Sequence, residues 1–142
     1  MYKETVVYKD YDDVEREETF YFNLTKSELT ELETSIPGGM ANRLSEISKA
    51  KDTPAMMKFF KMIIMKSYGE KSPDGRRLIK GDDCELAKAF AETPAYDIIF
   101  QKIFMGDGMV EFLTNIMPSD MMEKMRPVLD KHLSEQKLPA GA

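Results

Sequence analysis

The sequence is poor in the residues that build catalytic and metal centres. Cys84 is the only cysteine among 142 residues. That excludes an intramolecular disulfide and a cysteine-based metal site, and it fits a reducing compartment. Its neighbours Asp82, Asp83 and Glu85 work against a thiolate, so Cys84 reads as a structural residue. His132 is the only histidine, which removes multi-histidine metal sites and most acid–base designs. It falls late in the last predicted helix, where a positive imidazole would complement the helix dipole. Long apolar runs are missing too. The longest apolar-rich stretch, residues 55–65, is interrupted by Lys58 and Lys61 and is too short to span a bilayer. Met1-Tyr2-Lys3-Glu4-Thr5 has no apolar core of the secretory kind, so a cytoplasmic location is expected.

Phosphate and cation motifs are equally scarce. Pro37-Gly38-Gly39 lacks the lysine and hydroxyl residue of a phosphate loop, and Gly106-Asp107-Gly108 lacks the remaining ligands of a calcium loop. Both read as helix breaks. The net charge is −5, from 25 acidic and 20 basic residues, whereas nucleic-acid binders need a basic footprint. The densest basic cluster, Lys124, Arg126 and Lys131, is interleaved with Asp120, Glu123 and Asp130. Adjacent carboxylates such as Asp12-Asp13, Glu17-Glu18 and Asp82-Asp83 read as solvated surface. No cofactor, metal, nucleic-acid or membrane partner is implied, and no enzymatic activity is expected.

What is present describes a mainly α chain with a β start. Thr5-Val6-Val7-Tyr8 and Thr19-Phe20-Tyr21-Phe22 have the β-branched and aromatic composition of strands. The aspartates between them supply a turn. An N-terminal β-hairpin is predicted, with strands near 3–9 and 15–23. A lone hairpin is marginal in water, so one face must be covered. Thr25-Lys26-Ser27-Glu28 has capping-box spacing and opens a helix carrying Leu29, Leu32 and Ile36. Met40, Leu44 and Ile47 mark a second helix. Thr53-Pro54 and Thr93-Pro94 start two more, with proline where its missing amide hydrogen costs nothing. The first of these runs to about 67 or 68, with Gly69 as terminator. Residues 70–75 read as a polar turn and 76–80 as extended. Asp82 or Asp83 is expected to cap a short helix through 90. The Thr93-Pro94 helix is expected to run through about 104, and further helices are predicted over 109–116 and from Pro118-Ser119-Asp120 to about 135, the last kinked or restarted at Pro127. The expectation is one domain over residues 1–136, a hairpin (3–23) followed by six to seven short helices (25–136), with a flexible tail at 137–142.

The unusual component is methionine, at 12 residues. Methionine is unbranched and polarisable and is over-used at adaptable binding surfaces. In the helix starting at Pro54 the apolar residues, Met56 and Phe60 among them, go nearly all the way round, interrupted by Lys58, Lys61 and Lys66. Such a helix is either central in its own core or covered by a partner. Met117, Met121, Met122, Met125, Leu129 and Leu133 form a narrower stripe at the chain end. The first helix is expected to be core. The terminal stripe is the expected protein-binding surface, with Met56 and Phe60 as secondary candidates.

Several short blocks stand in a fixed order along the chain. They are Tyr8-Lys9-Asp10-Tyr11-Asp12 with Glu15-Arg16, and Phe20-Tyr21-Phe22-Asn23-Leu24-Thr25-Lys26. Lys66-Ser67-Tyr68-Gly69-Glu70-Lys71-Ser72 into Asp74-Gly75-Arg76-Arg77 follows, then Phe90-Ala91-Glu92-Thr93, Ala95-Tyr96 and Met117-Pro118. In these blocks, scattered over about three quarters of the chain, the sequence resembles tail assembly chaperones of long-tailed bacteriophages. Two departures stand out: glycine is expected where Asp13 stands, and the methionine content is higher than the family's. The resemblance implies a non-enzymatic protein made in the infected cell and absent from the virion. It implies binding to the tape measure protein and help in recruiting the tail tube protein. A frameshift-extended form of the same chain, or self-association, is a further implied partner. The alternative from a different class is a structural tail protein (tube, completion or connector) whose hairpin adds to a neighbour's sheet.

Overall fold

The computed structural model describes the backbone of residues 1–105 and 108–141, and side chains through Lys131 apart from the same break. The chain begins with β1 (Tyr2–Lys9) and β2 (Glu15–Phe22), paired antiparallel from Tyr2↔Phe22 to Lys9↔Glu15. The register puts Tyr2 and Val6 of β1, with Phe20 and Phe22 of β2, on one buried face, as a period of two requires. Beyond Phe20 the outer half of the hairpin is mostly exposed, with charged residues interspersed with Val7, Tyr11 and Val14.

The hairpin turn is organised by one carboxylate. Asp10 accepts from the amides of Asp12 (2.8 Å) and Val14 (3.0 Å) and pairs with Arg16. The Arg16 guanidinium and those amides hold the Asp10 carboxyl below the ordinary carboxylate range. Asp13, at the position where glycine is expected, sits at φ +60°. Aspartate tolerates the left-handed region better than most residues, which is why the turn closes without glycine.

The hairpin is not the only β structure. β3 (Tyr68–Lys71) pairs with β2 at Tyr21↔Gly69 and Phe22↔Tyr68, and β4 (Leu78–Ile79) pairs with β3. The result is a four-stranded antiparallel sheet in sequence order. Gly69, read from sequence as a helix terminator, is instead a sheet residue. A Cβ there would lie 2.6 Å from Leu78 Cγ and 3.0 Å from the Ile79 carbonyl oxygen, so glycine permits the close approach of β4.

Seven α-helices among the described residues complete the fold: α1 (Lys26–Ser35), α2 (Met40–Ala50), α3 (Thr53–Ser67), α4 (Glu85–Phe90), α5 (Pro94–Phe100), α6 (Gly108–Ile116) and α7 (Ser119–Gly141). The expected capping box forms: Thr25 Oγ1 accepts from the Glu28 amide at 3.2 Å, and Glu28 Oε1 accepts from the Thr25 amide at 3.0 Å. Asp52 caps α3 through the Ala55 amide, and Thr93 caps α5 through the Tyr96 amide. The caps expected from Asp82 or Asp83 do not form. Residues Asp82–Cys84 make a 3₁₀ turn instead, with Asp83 and Cys84 both left-handed, and α4 starts without a side-chain cap. α5 passes into one π-type turn (Gln101–Met105), and α7 is continuous across Pro127. The expected break at Gly106-Asp107 lies outside the described residues.

The core is a sheet face covered by helices, centred on Phe22. Its ring lies 5.7 Å from Phe112 and from Tyr68, 5.9 Å from Phe90 and 6.0 Å from Tyr2. Tyr68 and Phe90 stack at 4.3 Å, which locks β3 to α4. Burial pushes the Tyr68 hydroxyl up to about 12, with the nearby Glu70 and Glu18 carboxylates adding to the shift.

Candidate protein-binding surfaces

A binding surface needs apolar side chains that the chain itself leaves uncovered. The α3 candidates do not qualify, in agreement with the core expectation for that helix. Met56 and Phe60 are fully buried, with Phe59, Ile63 and Ile64 beside them, and Phe60 meets Phe104 edge-on at 6.1 Å. α3 turns out only Met57, at 42% exposure, among its large apolar residues, with Met62 and Met65 half-buried.

The terminal stripe is placed differently from the expectation. α7 lies against α2 and α6, and Met117, Met122, Met125 and Leu129 are all buried there. Met125 and Leu129 are at 0% and 1% exposure, as deep as any residue of the central core. Met121 is half-buried beside Leu29 and Pro118 in a shallow groove between α1 and the start of α7. The side chains of Leu133 and His132 lie outside the described residues. The stripe is therefore turned inward, because α2 carries a matching buried edge in Met40, Leu44 and Ile47. For these methionines to touch a partner, α7 would have to leave α2.

The apolar side chains that do face solvent sit elsewhere. Tyr11 (81% exposed), Val14 and Val7 are on the hairpin, and Ile98 and Met105 are near α5. Two grooves accompany them. One, of about 590 Å³, runs between the hairpin and α5 and is lined by Tyr8, Tyr11, Tyr96 and Ile98. The other, of about 490 Å³, opens between the α1–α2 connection and α3. Ile36, Ile47, Phe59 and Met62 are among its lining, together with the exposed cations Arg43 and Lys58. The basic residues of α2 and α3 do not register as a run, because they stand two to seven positions apart. Summing charge over the pair of helices would have exposed them.

A third cleft, about 470 Å³, holds the polar tie of the fold. Lys80 Nζ donates to the carbonyls of Asn23 (2.9 Å) and Lys66 (2.8 Å) and to the Glu28 carboxylate. One side chain thereby joins the end of the hairpin, the C-terminus of α3 and the first turn of α1. Burial pushes the Glu28 carboxyl up, but the Lys80 hydrogen bond, the Thr25 amide and the Lys80 charge outweigh it and leave it below its ordinary value. Cys84 lines the same cleft, half-buried. Of the three carboxylates that line it, Glu28 is paired with Lys80 and Asp83 with Lys88, while Glu31 is exposed. No group of metal-ligating side chains converges among the described residues.

A family model described as phage tail assembly chaperone matches residues 1–140. The chain belongs to that family. The match takes in the hairpin, the sheet and all seven helices, so the whole fold is the family's domain. No curated protein and no solved structure matches the chain.

Proposed function

We propose that this tail assembly chaperone binds the tape measure protein in the cytoplasm of the infected cell and helps bring tail tube subunits to it. In this reading it catalyses nothing and is left out of the finished particle. The family match over residues 1–140 carries the proposal. The surface is compatible with it: apolar side chains and shallow grooves stay open to solvent beside a buried core. A long amphipathic helix can lay its apolar face into such a groove, and shallow contacts of low residue specificity suit coating a long rod.

The second reading, a structural tail protein, draws on the position of β1. It is an edge strand of eight residues, and an edge strand can accept a strand from a neighbour. Quantitative mass spectrometry of purified particles separates the two. The chaperone reading expects the chain in the infected-cell lysate and only traces in particles. Abundance in particles comparable to a tail component refutes it.

A further inference from the structure

Charge on this chain is strongly segregated. Residues 40–67, which make α2, α3 and their link, carry Arg43, Lys49, Lys51, Lys58, Lys61 and Lys66 against Glu46 and Asp52. That is a net of +4 in a chain whose total is −5. All six cations are exposed. Asp52 is occupied as the α3 cap, accepting from the Ala55 amide at 3.1 Å. Arg43 reaches only Glu46, 3.6 Å away on its own helix, and Lys58 is in none of the ion pairs among the described residues. The hairpin is the opposite pole: residues 10–18 hold six carboxylates against Arg16.

The apolar groove lies inside the positive region. Ile47 and Phe59 are buried beneath it, and Ile36 and Met62 are half-exposed in it. Its charged lining is Arg43, Lys58 and the capping carboxylate of Asp52, a net of +1.

We propose that this groove docks an amphipathic helix of another protein chain, one whose apolar stripe is flanked by acidic residues. The inference rests on the reading that the chaperone binds protein clients, and it adds the place and the chemistry. Apolar anchors at helical spacing fill the floor, as in other helix-in-groove contacts. Arg43 and Lys58 speed encounter with acidic flanks and reject basic ones, which is how rim charges act. A nucleic-acid backbone would meet the cations but leave the apolar floor unused, so a polypeptide is the better fit.

The test uses two fluorescent peptides of about 18 residues, five helical turns, with the same leucine stripe. One is flanked by glutamate, the other by lysine. Each is titrated with the full chain and with the R43E/K58E double variant at low ionic strength. The acidic peptide is expected to bind about tenfold more tightly than the basic one, and the double variant to lose or invert that preference. Both side chains are exposed, so the variant is expected to melt with the wild type, and circular dichroism verifies this. Equal binding of the two peptides, or a preference the double variant keeps, overturns the proposal. Sedimentation of the chain alone provides a further arm. Self-association that the same double variant abolishes would put a second copy's acidic hairpin in the groove and overturn the foreign-helix proposal. Co-purification with the tape measure protein distinguishes the two levels. Capture unchanged by R43E/K58E refutes the site and spares the chaperone reading, whereas no capture by the wild type refutes both.

Discussion

Replacing Met125 by serine tests whether α7 belongs to the core or is a face held out for partners. Met125 has 0% exposure and lies where α7 meets α2, with Met122 and Leu129 on the same side. Removing a buried methionine side chain costs about 2–5 kcal/mol in lost transfer energy and residual cavity. The serine hydroxyl adds a desolvated polar group with no partner, so about 4 kcal/mol is a reasonable centre. For a domain of this size roughly 3 °C of melting temperature is lost per kcal/mol, which gives a drop of roughly 12 °C. Met121 supplies the internal control: it is half-buried, one turn earlier on the flank of the helix, and Met121→Ser is expected to cost less than about 1 kcal/mol. Urea denaturation followed by circular dichroism measures both, with the slope confirming that the same surface is exposed. A loss under about 1 kcal/mol for Met125→Ser would refute the packing of α7 on α2 and return the stripe to the surface.

Other predictions follow from local geometry. Asp13→Gly relieves a left-handed residue at φ +60° and is expected to raise stability by about 0.5 kcal/mol, read as a small rise in melting temperature. Lys80→Met removes three hydrogen bonds from one partly buried ammonium and is expected to cost about 2 kcal/mol at neutral pH. Because the folded Glu28 carboxyl is held below its ordinary value, its contribution is present above the unfolded value of about 4.3 and is lost as pH falls through the folded one. The gap between wild type and Lys80→Met should therefore narrow between pH 5 and pH 3, and a constant gap would contradict the role given to the pair. Ser48 carries a buried hydroxyl with no partner among the described residues. Ser48→Ala is expected to be neutral or stabilising by up to about 1 kcal/mol, and a clear destabilisation in urea would show a bond the geometry lacks.

The sequence was most legible where local chemistry decides the structure. The hairpin, the Thr25 capping box and the Thr93-Pro94 helix start need only neighbours within a few positions, and each forms within a residue or two of expectation. It was least legible where a distant partner decides. Tyr68-Gly69-Glu70-Lys71 has no strand composition and becomes β3 only because Phe22 offers an edge and Gly69 admits Leu78. The stripe on α7 was legible as a stripe, since a period of 3.6 identifies an apolar face. Periodicity carries no information about what covers that face, and α2 covers it. The same limit hid Arg43 and Lys58, which look scattered along the chain and gather only when α2 and α3 pack beside each other.

The most direct test of the central claim is co-expression of the tape measure protein with this chain, followed by affinity purification through a tag on the chain. The chaperone account predicts that more of the tape measure protein is soluble with the chain than without it, and that it co-elutes with several copies of the chain. A tape measure protein that stays in the pellet, with the chain eluting alone, would contradict it.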